Sequence, residues 1–111
     1  MRLGILQQMA WEIAEAQGHH ESLRTLPERE ATMIRLALVH SEVSEALQVV
    51  KRYGITPESR ISLAEELADT MIRLIELAEC LDIDLETAVL AKMAVNRERP
   101  YGYGTPGERG A

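Results

Sequence analysis

Glu42 and Glu45 stand three residues apart in a stretch whose apolar residues recur at helical spacing, and Glu66 and Asp69 repeat that spacing on the next such stretch. Side chains three apart share a helical face. Leu38, Ala46 and Val49 run beside the first pair, and Leu67 and Met71 bracket Asp69. If the two helices pack antiparallel across their short connection, the pairs face each other. Four carboxylates at close range repel one another, and a divalent cation resolves the conflict. An all-oxygen donor set without His or Cys suits Mg²⁺, with Mn²⁺ as a substitute, rather than Zn²⁺. Mg²⁺ keeps several waters and shares its shell with substrate phosphates, so the expected ligand is a phosphate ester. Either pair alone is a common pattern of solvated surface acids. Two pairs on consecutive helices, both beside an apolar stripe, carry the metal reading.

A second polar group follows near the C-terminus: Lys92, Asn96, Arg97 and Arg99. Lys92 and Asn96 share a face. A cation and an amide beside a metal site suit a polyphosphate. Basic residues at a helix C-terminus are also favoured by the helix dipole alone, so both readings stand.

The elements that must position these groups are all helical. A first helix is expected over about Leu3–Gln17, with Gly18 as its C-terminal cap and a loop to Leu26. Thr25 and Glu28 have capping-box spacing and Pro27 suits a first turn, so a second helix runs from there to Tyr53, where Gly54 stops it. At 1.5 Å per residue it spans about 40 Å, long for a small domain. Ser62 and Glu65 repeat the capping-box spacing and are expected to open a third helix, about Leu63–Leu81. Asp82-Ile83-Asp84 reads as a tight turn with Asp84 as N-cap of a fourth helix, Leu85 to about Arg97, before Pro100. Residues 102–111 are glycine-rich and expected to form an irregular tail. The fold class is therefore all-α, a four-helix bundle with one long central helix, in a single domain covering residues 1–111.

Composition narrows the function classes. The 111 residues carry a formal charge of −6, which argues against a nucleic-acid-binding domain. No apolar run is long enough for a membrane span, and Gln7 and Gln8 interrupt the apolar start, so no secretory signal is expected. The single Cys80 excludes an internal disulfide framework and a cysteine zinc cluster, and fits a cytoplasmic address. The long helix spreads Ile34, Leu36, Leu38, Val39, Val43, Leu47 and Val50 around its circumference, more apolar surface than one small chain can cover. A homodimer or a dimer of dimers is expected to bury it.

Taken in order, His40-Ser41-Glu42-Val43-Ser44-Glu45-Ala46-Leu47, Glu65-Glu66-Leu67-Ala68-Asp69, Leu81-Asp82-Ile83-Asp84-Leu85-Glu86, and Lys92 with Asn96-Arg97-Glu98-Arg99-Pro100-Tyr101-Gly102 resemble the MazG-like nucleoside triphosphate pyrophosphohydrolases, within the all-α pyrophosphatase superfamily. The resemblance implies cleavage of an NTP or dNTP between the α and β phosphates, giving a nucleoside monophosphate and pyrophosphate. It implies Glu42, Glu45, Glu66 and Asp69 as Mg²⁺ ligands and catalytic groups. Lys92, Asn96 and Arg99 are implied as substrate contacts. For the base, Trp11, His19 and His20 are the stacking candidates, although a Trp is often a core residue and loop histidines are often solvated. Where many members carry a double acid at the start of the first motif, this chain has Ser41. A serine is no general base near neutral pH, so water activation falls to Glu42 or Glu65, and Glu65 reads better as a capping residue. His40 projects roughly 160° from Glu42 around the helix, which fits packing or a subunit contact.

Two rival readings stand against it. An oxidising di-iron bundle needs Glu-x-x-His motifs, and none occurs. A non-catalytic helical oligomerisation module, or a regulatory nucleotide- or metal-binding module, keeps the scaffold without turnover.

Overall fold

The computed structural model describes residues 2–102. Among them are four α-helices and no strand: α1 (Leu3–Ala16), α2 (Glu28–Tyr53), α3 (Pro57–Cys80) and α4 (Leu85–Arg97), with a 3-10 turn at Glu21–Leu23 inside the loop after α1. The turn at Tyr101–Gly102 is described; the rest of the expected tail, 103–111, lies outside the described residues.

α1 ends where Gly18 takes a left-handed conformation, φ +75°. Its N–H donates to the Glu15 carbonyl and that of His19 to Ala14, which satisfies two carbonyls the helix would leave open. α3 ends the same way with Asp82 at φ +55°, its N–H donating to Glu79 and that of Ile83 to Ala78. An aspartate tolerates this region better than most side chains.

Two expected helix starts are corrected. α2 begins at Glu28 with Pro27 in an extended conformation at the N-cap and no side-chain cap. Thr25 therefore sits two residues before the cap, and its hydroxyl cannot serve the first turn. Glu28 and Glu30 complement the dipole instead. α3 begins six residues earlier than Leu63. Thr56 is its N-cap and Pro57 follows it. The Thr56 hydroxyl accepts from the Ser59 N–H at 3.0 Å, and the Thr56 N–H donates to the Ser59 hydroxyl at 2.8 Å. Ser62 and Glu65 lie inside the helix and cap nothing. Proline's fixed φ at N1 and a reciprocal hydroxyl cap outweigh a later serine–glutamate pair of the same spacing. α4 starts as expected, with Asp84 accepting from the Thr87 N–H at 3.1 Å.

α2 packs along α3, α1 packs on α3, and α4 makes its main contact with α1. Gln7, buried on α1, donates to Glu79 at 3.0 Å and to the Ile83 carbonyl at 2.8 Å, which ties α1 to the C-terminal end of α3. The buried apolar residues are Ala14, Ala31, Ala46, Ile75, Leu77 and Ala78. Four of these six are alanines, so the described core is thin and the helices approach closely. No helix among the described residues is long and apolar enough to cross a membrane.

Candidate functional site

The packing of α2 on α3 brings Glu42, Glu45 and Glu66 together. Each offers a carboxylate oxygen within 4.8 Å of the others. Glu42 and Glu45 lie one turn apart on α2, and Glu66 meets them from α3. Glu42 and Glu66 are half-buried and Glu45 is exposed. Glu66 Oε2 is buried with no hydrogen-bond partner. A buried carboxylate oxygen left without a donor is destabilising unless something positive meets it. That orphaned oxygen, together with the all-oxygen donor set, fits a hard divalent cation such as Mg²⁺ or Mn²⁺. Asp69, one turn beyond Glu66, is exposed and stays outside the trio.

Glu42 has a cationic neighbour that the spacing arguments passed over. Arg73 Nε lies 3.5 Å from Glu42 Oε1. Arg73 stands on α3 seven residues after Glu66, and Arg35 on α2 seven residues before Glu42, so both follow the acidic faces along their helices. Extending the register of the acid pairs by two turns would have found them. The two arginines border a cleft of about 20 Å³ with His19, His20, Leu23, Leu38 and Glu76. That is room for about one water.

His20 joins this cleft to an aromatic unit. The rings of Trp11 and His20 stack with centroids 3.8 Å apart and planes 17° from parallel. The Arg35 guanidinium lies 5.9 Å from the Trp11 ring centroid and 3.2 Å from His20 Nδ1. A guanidinium only donates, so Nδ1 accepts and the ring proton sits on Nε2. That Nε2 is buried without a partner. Burial first, then the charges of Arg35, His19 and Arg73, hold the His20 pKa below its usual value. His20 is thus a buried neutral histidine, while His19 is exposed at the cleft. Glu76 is buried, and burial raises its carboxyl pKa against the opposing pull of Arg73, His19 and Arg35. Trp11, His20 and Arg35 also border a second cavity of about 250 Å³ that reaches Leu26, Ala31 and Thr32.

The remaining expected contacts lie elsewhere. Lys92 and Asn96 are exposed on α4, which leans on α1, and no α4 residue borders the cleft lined by Arg35 and Arg73. Arg99 is half-buried just past the end of α4, with its N–H donating to the Asn96 carbonyl. Ser41, His40 and Glu65 are exposed.

No protein-family model matches the chain. The chain is similar over part of its length to curated proteins named dCTP pyrophosphatase 1. It is 48% identical to that of Homo sapiens over 46 residues, covering 41% of this chain and 27% of the human protein. It is 46% identical to those of Rattus norvegicus and Mus musculus over 43 residues, covering 39% of this chain and 25% of each relative. The matched stretch thus spans about a quarter of the length of these relatives.

Proposed function

We propose that the chain is a Mg²⁺-dependent nucleoside triphosphate pyrophosphohydrolase of the MazG-like kind, releasing a (d)NMP and pyrophosphate, with dCTP as the first substrate to test. The observation that carries this reading is the convergence of Glu42, Glu45 and Glu66, of which Glu66 has a buried carboxylate oxygen with no hydrogen-bond partner. The partial likeness to proteins named dCTP pyrophosphatase 1 supports the reaction class.

Glu42, Glu45 and Glu66 would hold the cation, with Asp69 joining from the next turn of α3. When bound, the cation neutralises phosphate charge and lowers the pKa of a coordinated water. Glu42 or Glu65 takes the proton of the attacking water, since Ser41 has no basic group and Glu65 has no capping duty. Water adds to phosphorus, the α–β anhydride bond breaks, and pyrophosphate leaves. Lys92 and Asn96 bind phosphate oxygens, with Arg99 near them. Trp11 and His20, stacked and buffered by Arg35, supply the aromatic end for the base, with His19 at its edge. Seven residues of α2 separate Arg35 from Glu42, about 10 Å of helix rise, a span that an extended nucleotide can cover. Catalysis is then mostly positioning and charge stabilisation.

The working unit is a homodimer or a dimer of dimers, in which a second copy covers exposed apolar faces and brings α4 residues toward a trio. The address is cytoplasmic.

The test is pyrophosphate release from each dNTP and NTP with Mg²⁺. Glu45→Gln and Glu66→Gln are expected to lower kcat/KM by about a hundredfold or more while circular dichroism stays helical. Turnover undiminished in both variants, or none with any nucleotide, overturns the reading. Nucleotide binding without turnover would instead establish a regulatory module.

A further inference from the structure

We propose that Arg73 is a phosphate-binding residue kept in reserve: without a cation its guanidinium occupies Glu42, and once a divalent cation takes Glu42 it turns to a phosphate oxygen of the bound ligand. This inference rests on the hydrolase reading above and adds a residue to it.

Two observations and one argument from charge carry it. First, Arg73 is the described ion-pair partner of Glu42, and Glu42 is one of the three acids that converge. The contact is long, 3.5 Å, and the Arg73 side chain is about a third exposed, at 35%. An ion pair of that kind is weak and readily exchanged. Second, Arg73 lines the cleft as well as pairing with Glu42, and the other arginine of that cleft, Arg35, is already committed to His20. Arg73 is therefore the cleft arginine whose partner a cation would take away. Third, the replacement follows from charge. A dication on Glu42 repels a guanidinium at contact distance, and the phosphates it brings attract one. The planar fork of arginine suits phosphate oxygens better than a point charge does. Glu76 lies one turn further along α3 and could hold Arg73 instead; the nucleotide measurement below separates these fates.

The test reads two affinities that should move in opposite directions. Mn²⁺ alone is titrated into the wild type, Arg73→Gln, Arg73→Lys and Arg35→Gln by calorimetry. An α,β-imido deoxynucleoside triphosphate, which cannot be cleaved at that bond, is then titrated at saturating Mn²⁺. Arg73→Gln is expected to bind Mn²⁺ about two- to fivefold tighter, since an internal competitor is gone. It should bind the nucleotide analogue about tenfold more weakly, since a charge-assisted bond is lost. A merely structural arginine would weaken both. Unchanged nucleotide affinity in Arg73→Gln overturns the proposal, as does an equal Mn²⁺ gain in Arg35→Gln, which would mark a general charge effect. If Arg73→Gln does not fold, Arg73→Lys, with a shorter reach and no fork, should show the same opposed shifts. Failure of wild-type protein to bind Mn²⁺ would overturn the hydrolase reading and this one together. Mn²⁺ binding that Arg73→Gln leaves unchanged overturns this one alone.

Discussion

His20 shows how far a residue's role depends on what surrounds it. In the sequence it is one of two adjacent histidines in a loop, with no more claim than His19. In the structure it is buried, stacked on Trp11, and its Nδ1 accepts from the Arg35 guanidinium, which cannot give up its charge. Its folded pKa lies below the usual 6.5. The unfolded chain therefore takes up the proton more readily than the folded one. The stabilisation from neutral His20 is complete above pH 6.5 and is lost as pH falls through the folded value. Thermal melts from pH 7.5 down to 5 should show the wild type's advantage over His20→Gln shrinking below pH 6.5. A pH-independent difference would contradict the buried neutral assignment. Glu76 contributes with the opposite sign: its raised pKa favours the folded state at low pH, and this advantage is lost as pH rises through the folded value. Glu76→Gln should thus gain stability at pH 7 and lose that gain toward pH 4.5, measured by the same melts.

Among the helices, the start of α3 decides whether its acids reach α2. Thr56, Pro57 and Ser59 begin it, and the Ser59 hydroxyl also donates to the Gly54 carbonyl at 2.7 Å. Gly54, at φ +65°, turns the chain out of α2 without a Cβ penalty, so this short link is what sets α3 back along α2. Thr56→Ala should cost about 1 kcal/mol and lower Tm by about 4–8 °C. Ser62→Ala, on an exposed helical position, should change Tm by no more than about 2–4 °C, in line with surface substitutions near 0.5 kcal/mol. Equal losses in the two variants would return the cap to Ser62. The mistake in reading the start of α3 has a physical source. Thr56 and Ser62 both have capping chemistry, and only the proline beside Thr56 and the reach of the Ser59 hydroxyl choose between them.

For the whole molecule, the balance of buried and exposed apolar groups is the telling feature. The described core holds four alanines and only two larger side chains, while Met33 (58%), Leu47 (56%), Leu67 (56%) and Leu90 (60%) stay exposed. A groove of about 380 Å³ between α1 and α3, lined by Leu6, Met9, Ile13, Ile72 and Ile75, adds to this surface. The proposed homodimer or dimer of dimers would cover this apolar area. Light scattering should give a mass at a multiple of 12.4 kDa. Ile72→Glu, placed in the groove, should shift the mass toward one chain while helicity persists; a wild-type mass of one chain at micromolar concentration would refute the oligomer.

The all-helical class, the extent of α4 and the shared face of Glu42 and Glu45 were legible in the sequence, because helical periodicity is local and three-residue spacing puts side chains on one face whatever the tertiary context; that Asp69 stays outside the trio was not. Gly18 and Asp84 likewise announced their caps through their own backbone and side-chain chemistry. Which charges meet was not local. Glu66 reaches Glu42 and Glu45, Arg73 reaches Glu42, and His20 lies beneath Arg35 only because α2 and α3 run side by side and the α1 loop folds over them. Periodicity identifies the face each residue shares within its own helix; the packing of one helix on another, governed by small alanines at close approach, decides what that face meets.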